Sequence, residues 1–318
     1  MRAGLALTAL VFAVPSQLPA RGQQQPLPRT GFAVQTATGV VLVDPAGHVA
    51  RTLTGYRFRD QGVERAGQIE LRDASGRDFE LRGGQIVRVP GNSVTLPYGW
   101  SLEFASQWIL RQGARVVVRY AGGTHLGLDA SGALLSALPP KGGPTVLRDL
   151  RSGTRRTLPA GCRAGALVGT TEYDLCGYPY AKTRDSTIVR VDPAGGRRVL
   201  AGPAQARQTD PAGWWRQVVP GPPGTPLLAQ WSGVCEVPSA YLVDRDTGKR
   251  SLLRDRGGHA VEGRILGWIG GTPFAALPHS VCTSSAEPPG IYEFDATGRP
   301  LLVYRLRSAA SVPVAFWR

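Results

Sequence analysis

GTPLLAQWSGVC, residues 224–235, returns as GTPFAALPHSVC, residues 271–282. In both copies Gly-Thr-Pro opens an apolar run, and a cysteine follows the glycine by eleven residues. An apolar run ending in aspartate and closed by glycine comes next: YLVDRDTG (residues 241–248), then YEFDATG (residues 292–298). A period of about fifty residues in which every part reads as a short strand belongs to a propeller or another strand array, not to a layered α/β enzyme.

The apolar–Asp–Gly signature spreads outward from these two copies. VVLVDPAG ends at Gly47, IELRDASG at Gly76, LGLDASG at Gly132, VLRDLRSG at Gly153 and IVRVDPAGG at Gly196. Most are followed by a second short apolar run, so each unit is a β-hairpin. The aspartate leaves the first strand and bonds turn amides, and the glycine takes the positive-φ position that closes the turn. These aspartates (44, 73, 129, 149, 192, 244 and 295) are therefore read as turn residues, not catalysts.

Their spacing sets the blade count. The steps 149→192, 192→244 and 244→295 are 43, 52 and 51 residues, each the size of one four-stranded blade. The 105 residues from 44 to 149 fit two more such steps. The expectation is a single all-β propeller of about six four-stranded blades, with five or seven as alternatives and residues 84–140 the least regular part. Trp215, Trp268 and Trp317 follow the preceding hairpin aspartates by 23, 24 and 22 residues, which assigns them to innermost strands. The last of these runs, VPVAFWR, has no strands after it, while the first ordered segment (residues 31–53) has no innermost strand. The C-terminal run is expected to complete the first blade and close the ring, which removes exposed sheet edges.

TIVRVDPAGGRRVLAG (residues 187–202) and AYLVDRDTGKRSLL (residues 240–253) resemble the repeat of the TolB-type, WD40-like (PD40-like) β-propellers. The resemblance covers some five hairpins between Val40 and Leu306. It implies a closed ring of blades, often exported and often used for protein binding. It carries over no functional residues, because no functional motif of that family is matched.

Composition bounds the rest. Glycine (41) and proline (26) make turns frequent in a chain of 318 residues. The formal net charge is +14, almost all of it from arginine; lysine stands only at 141, 182 and 249. The arginines are scattered, with no run of five, so nucleic-acid binding is not supported. A basic exported protein would be drawn to anionic envelope polymers or phospholipid headgroups. Export is expected from Arg2, the ten-residue apolar run LALTALVFAV (residues 5–14) and the small residues Ser16 and Ala20. That run is too short for a spanning helix and reads as a signal peptide over residues 1–20. A polar leader (21–30) and the propeller (31–318) follow. The mature chain is thus expected to be secreted or envelope-associated, monomeric and without a transmembrane span.

Four cysteines on an exported chain predict two disulfides, Cys162–Cys176 and Cys235–Cys282, with Cys176–Cys235 as the rival. Cys176, Cys235 and Cys282 each lie eleven residues after a glycine (165, 224 and 271), so equivalent loops on successive blades are expected. No C-x-x-C pair points to zinc, and neither a metal nor a cofactor is expected.

Ligand sites of propellers lie at one end of the channel, opposite the Asp-Gly hairpins in this register. The loops facing that end carry the rim candidates Tyr173, Asp210, His259, Glu262 and His279. A histidine with two carboxylates could support acid–base chemistry. No G-x-S-x-G, H-E-x-x-H, P-loop or dinucleotide motif is present. The leading functional expectation is an exported, non-enzymatic propeller that binds a protein or an anionic envelope component. The alternative is a hydrolase or lyase in which Asp210, His259 and Glu262 converge at the rim.

Overall fold

The structure, a computed structural model, describes residues 27–59, 63–64, 69–82, 84–140, 143–177, 186–204, 213–232, 238–277, 287–306 and 314–317. The chain makes seven blades of four antiparallel strands each. Blade 1 runs outward from Val314–Trp317 through Gly31–Gln35, Gly39–Val43 and Val49–Thr54. Blade 2 is Arg57–Phe58, Ile69–Arg72, Asp78–Arg82 and Gln85–Val89. Blade 3 is Ser93–Thr95, Trp100–Phe104, Trp108–Gln112 and Arg115–Arg119. Blade 4 is His125–Leu128, Leu134–Leu138, Pro144–Asp149 and Arg155–Ala160. Blade 5 is Cys162–Val168, Thr171–Cys176, Thr187–Val191 and Arg197–Ala201. Blade 6 is Trp214–Pro220, Leu227–Ser232, Pro238–Val243 and Arg250–Leu252. Blade 7 is Arg264–Ile269, Thr272–Leu277, Gly290–Phe294 and Pro300–Arg305.

The C-terminal strand closes the ring as expected, pairing Gly31 with Trp317 and Val34 with Val314. The blade count is seven, the upper alternative, and the reason lies between Asp44 and Asp149. Five aspartates, at 44, 149, 192, 244 and 295, sit between third and fourth strands. Asp129 instead joins the first and second strands of blade 4, and Asp73 the second and third of blade 2. Blades 2 and 3 have no Asp-Gly signature between their outer strands, so 105 residues hold three short steps rather than two.

Interleaved aromatics fill the seams between blades. Trp215 is fully buried, edge-on to Trp231 at 5.1 Å and to Tyr241 at 5.5 Å. Burying a side chain of that size contributes roughly 4–6 kcal/mol before entropy is counted. Phe32 packs between Phe274 and Phe316 and so ties blade 7 to the closing strand. Trp268 donates its indole N–H to the Val219 carbonyl across the blade 6–blade 7 seam (3.0 Å). All three expected tryptophans lie on innermost strands.

The hairpin glycines do more than turn the chain. Gly248, at φ +72°, lies so near the previous blade that a Cβ there would meet the Leu200 carbonyl oxygen at 1.8 Å. Gly47 stands in the same relation to the Val303 carbonyl, at 2.0 Å. The signature thus sets how closely blades approach as well as where strands reverse.

One segment departs from the ring pattern. Val63–Glu64, between the first two strands of blade 2, pairs in parallel with Leu126 and Gly127 on the channel edge of blade 4. Among the described residues no helix is long and apolar enough to cross a membrane.

Candidate functional site

Strand alternation gives the ring two unlike ends. Turns between first and second and between third and fourth strands lie at the hairpin end. Connections between second and third strands, and from one blade to the next, lie at the other end, the mouth. Most signature aspartates stand at the hairpin end and act as turn devices. Asp44 accepts the amides of Ala46 (2.9 Å) and His48 (2.8 Å), and Asp295 those of Thr297 (2.8 Å) and Arg299 (3.0 Å). Asp73, displaced to the mouth by the short blade 2, behaves alike. Its desolvation is outweighed by hydrogen bonds from Ser75 and Arg77 and by the Arg77 charge, which hold its carboxyl down at about 2.

Two rim candidates share one described connection, that between blades 6 and 7. His259 closes the turn DRGGH (residues 255–259), and its Nδ1 lies 3.4 Å from the Asp255 carboxylate. The turn DPAGH (residues 44–48) repeats this contact: His48 Nδ1 is 3.3 Å from Asp44. In both turns the histidine amide donates to the aspartate at 2.8 Å. The His–Asp pair is therefore a property of the D-x-x-G-H turn. Glu262, partly buried, pairs its backbone with Ser239 in an isolated bridge. Asp210 and His279 lie outside the described residues. Tyr173 is buried at the opposite end, because Thr171–Cys176 enters its blade from the hairpin end and only its last residue approaches the mouth.

Sequence reasoning passed over two carboxylates near His259. Asp255 is buried, and Glu287 is buried beside Arg256, accepting its amide at 3.2 Å. The match of DRGGH to DPAGH was the signal available for Asp255; Glu287 has no local pattern. Among the described residues no group of three or more His, Cys, Asp or Glu side chains is arranged to hold a metal ion.

The mouth is basic. Arg57, His125 and Arg264 are the first residues of innermost strands and Arg216 the third, and all four are exposed. Arg163, on the innermost strand of blade 5, is buried and donates to the Arg216 carbonyl. Arg57, His125 and Arg216 form no side-chain ion pair among the described residues.

Blade 5 carries buried charge, as blade 2 does at Asp78 and Glu80. Residues 172, 174 and 176 share one face of Thr171–Cys176, toward blade 4. Glu172 meets Arg156 of blade 4, and Asp174 lies 2.9 Å from Arg197. Burial, together with Glu172 beside it, pushes the fully buried Asp174 carboxyl up to about 8, against the pull of Arg197. Cys176 closes the expected disulfide with Cys162, their α-carbons 4.0 Å apart. The two residues face each other directly across the antiparallel pair, so the intervening strands need not bend. Cys176 is the last residue of its strand. Gly165 lies within the inner strand, whereas Gly224 and Gly271 lie in the turns after inner strands. Cys235 and Cys282 are outside the described residues.

No protein-family profile matches the chain, and no curated protein matches it in sequence. Solved structures do. A candidate 6-phosphogluconolactonase from Bacteroides uniformis aligns at TM-score 0.53 and 9% identity, over 91% of this chain and 100% of that one. The periplasmic gluconolactonase of Pseudomonas aeruginosa aligns at 0.47 and 12%, over 91% and 99%. TolB from Acinetobacter baumannii aligns at 0.40 and 11%, over 91% and 82%. The chain is a β-propeller. At these identities the likeness concerns the fold alone.

Proposed function

We propose that this protein is an exported, non-enzymatic binding propeller whose mouth engages an anionic component of the cell envelope. The observation that carries the reading is the exposed set Arg57, Arg216 and Arg264 at the mouth ends of innermost strands, in a chain of net charge +14. Cations spread around a concavity focus potential and draw polyanions. Export is supported by the apolar N-terminal run and by the Cys162–Cys176 disulfide, which is at home in oxidising compartments. The binding role, rather than catalysis at the rim, is supported by the twin turns at His48 and His259, which give the His–Asp contact a structural origin.

Co-sedimentation with phosphatidylcholine vesicles, with and without phosphatidylglycerol, tests the reading. A parallel arm uses soluble poly(glycerol phosphate) as competitor and separates a lipid headgroup from an envelope polymer. Binding only to the anionic preparations, lost in an Arg57→Ala, Arg216→Ala, Arg264→Ala triple variant, is the expected result. Equal binding to neutral vesicles, or no loss in the triple variant, would refute it.

A further inference from the structure

We propose that the cleft between blades 5 and 6, at the hairpin end, is a separate site for a small ligand bearing an oxyanion (carboxylate, phosphate or sulfate), with Arg245 as its principal cation. The inference does not depend on the mouth reading. The cleft is open on one side and has a volume of about 490 Å³, within the range of small-molecule sites. Tyr173, Arg190, Thr225, Asp244, Arg245 and Lys249 are among the residues that line it.

The charge balance in the cleft points to an anion. Asp244 is held by its own turn, its Oδ1 accepting the amides of Asp246 (3.1 Å) and Thr247 (2.7 Å) and the Thr247 hydroxyl (2.7 Å), and its negative charge is offset by Lys249. Asp246 is taken by Arg190 at 2.8 Å, and Arg190 also reaches Asp192 at 3.0 Å. Arg245 forms no ion pair among the described residues. Its Nη2 donates to the carbonyls of Gly221 (2.8 Å) and Pro222 (3.3 Å) and to the Thr225 hydroxyl (3.4 Å). Those neutral acceptors fix the guanidinium without neutralising it. Its Nε is buried with no hydrogen-bond partner. Desolvation accordingly lowers the Arg245 pKa. A partly desolvated guanidinium held in place and lacking a counter-ion favours a planar or tetrahedral oxyanion. Lys249 balances Asp244 and so leaves the Arg245 charge in excess, and Tyr173 and Thr225 add hydroxyl groups.

The cation is also peculiar to this blade. After the hairpin aspartate the other third-to-fourth turns carry Pro45, Leu150, Pro193 and Ala296, where blade 6 carries Arg245. The turn itself needs no arginine there.

Calorimetric titration and thermal shift with inorganic phosphate, sulfate and acetate test the proposal. At least one of them should bind saturably at a single site and raise Tm. Arg245→Met should abolish that binding, and Lys249→Met or Tyr173→Phe should weaken it by about tenfold, as one charge-assisted hydrogen bond would. The Arg57→Ala, Arg216→Ala, Arg264→Ala variant should retain it, which keeps this site distinguishable from the mouth. No saturable binding of any of the three anions overturns the proposal, as does binding undiminished in Arg245→Met. If Arg245→Met does not fold, unchanged affinity in both Lys249→Met and Tyr173→Phe overturns it.

Discussion

The two faces of Thr171–Cys176 meet different neighbours and treat charge differently. Toward blade 4, Glu172 and Asp174 are buried, each has an arginine, and the Cys162–Cys176 bridge fastens the end of the strand. Toward blade 6, Tyr173 borders an open cleft in which Arg245 has only neutral acceptors. The first seam is closed and cross-linked, and burial there favours the protonated form of Asp174 despite Arg197. The second keeps a cation without a counter-ion, a cost that a ligand would relieve.

The contrast can be broken most severely at the closed seam. Replacing Cys162 and Cys176 together with alanine should cost about 3 kcal/mol, the closure entropy of a loop of this length, read as a fall in the denaturation midpoint.

A pH series sharpens the same seam. Asp174 has a folded pKa raised to about 8 from an ordinary value of 3.8. Between those values the folded state binds more protons than the unfolded, so this group's contribution weakens as pH rises from about 4 to about 8. Asp174→Asn should flatten that decline and raise stability at pH 8 relative to the wild type. Asp73 has the opposite sign: held at about 2, it contributes above pH 4 and loses its contribution as pH falls toward 2. Chemical denaturation of the two Asp→Asn variants at pH 3, 5 and 8 separates the terms.

The open seam should be nearly silent in stability. Lys249→Met is expected to change the denaturation midpoint by no more than about 0.5 kcal/mol, while weakening oxyanion binding. The twin turns give the smallest effect: His48→Gln and His259→Gln should each shift stability by less than about 0.5 kcal/mol and by similar amounts. A large and selective loss of any catalytic activity in His259→Gln alone would reinstate the rim-enzyme alternative.

Much of the ring was legible because its signature is local. Asp244 and Gly248 make a hairpin whatever surrounds them, and the unpaired run ending at Trp317 needed a blade to join. The count of blades was harder, since the Asp-Gly pair is tied to a turn and not to a turn position. Asp129 and Asp73 use it at other corners of their blades, and blade 3 turns without it. The cleft was not legible at all. Arg245 and Tyr173 are 72 residues apart in the chain, and only the packing of blade 5 on blade 6 brings them together. Tyr173 stands at the hairpin end because it is the third residue of Thr171–Cys176, a strand that starts there.

The central claim, a basic mouth built to hold an anionic envelope component, is tested most directly by a salt titration of binding to phosphatidylglycerol-containing vesicles. The account predicts affinity that falls steadily as salt rises, because exposed charges are screened over about 10 Å at 0.1 M ionic strength. In the Arg57→Ala, Arg216→Ala, Arg264→Ala variant, binding should be weaker at low salt and much less salt-dependent. Wild-type binding that is indifferent to salt, or a triple variant with the wild-type salt dependence, would contradict it.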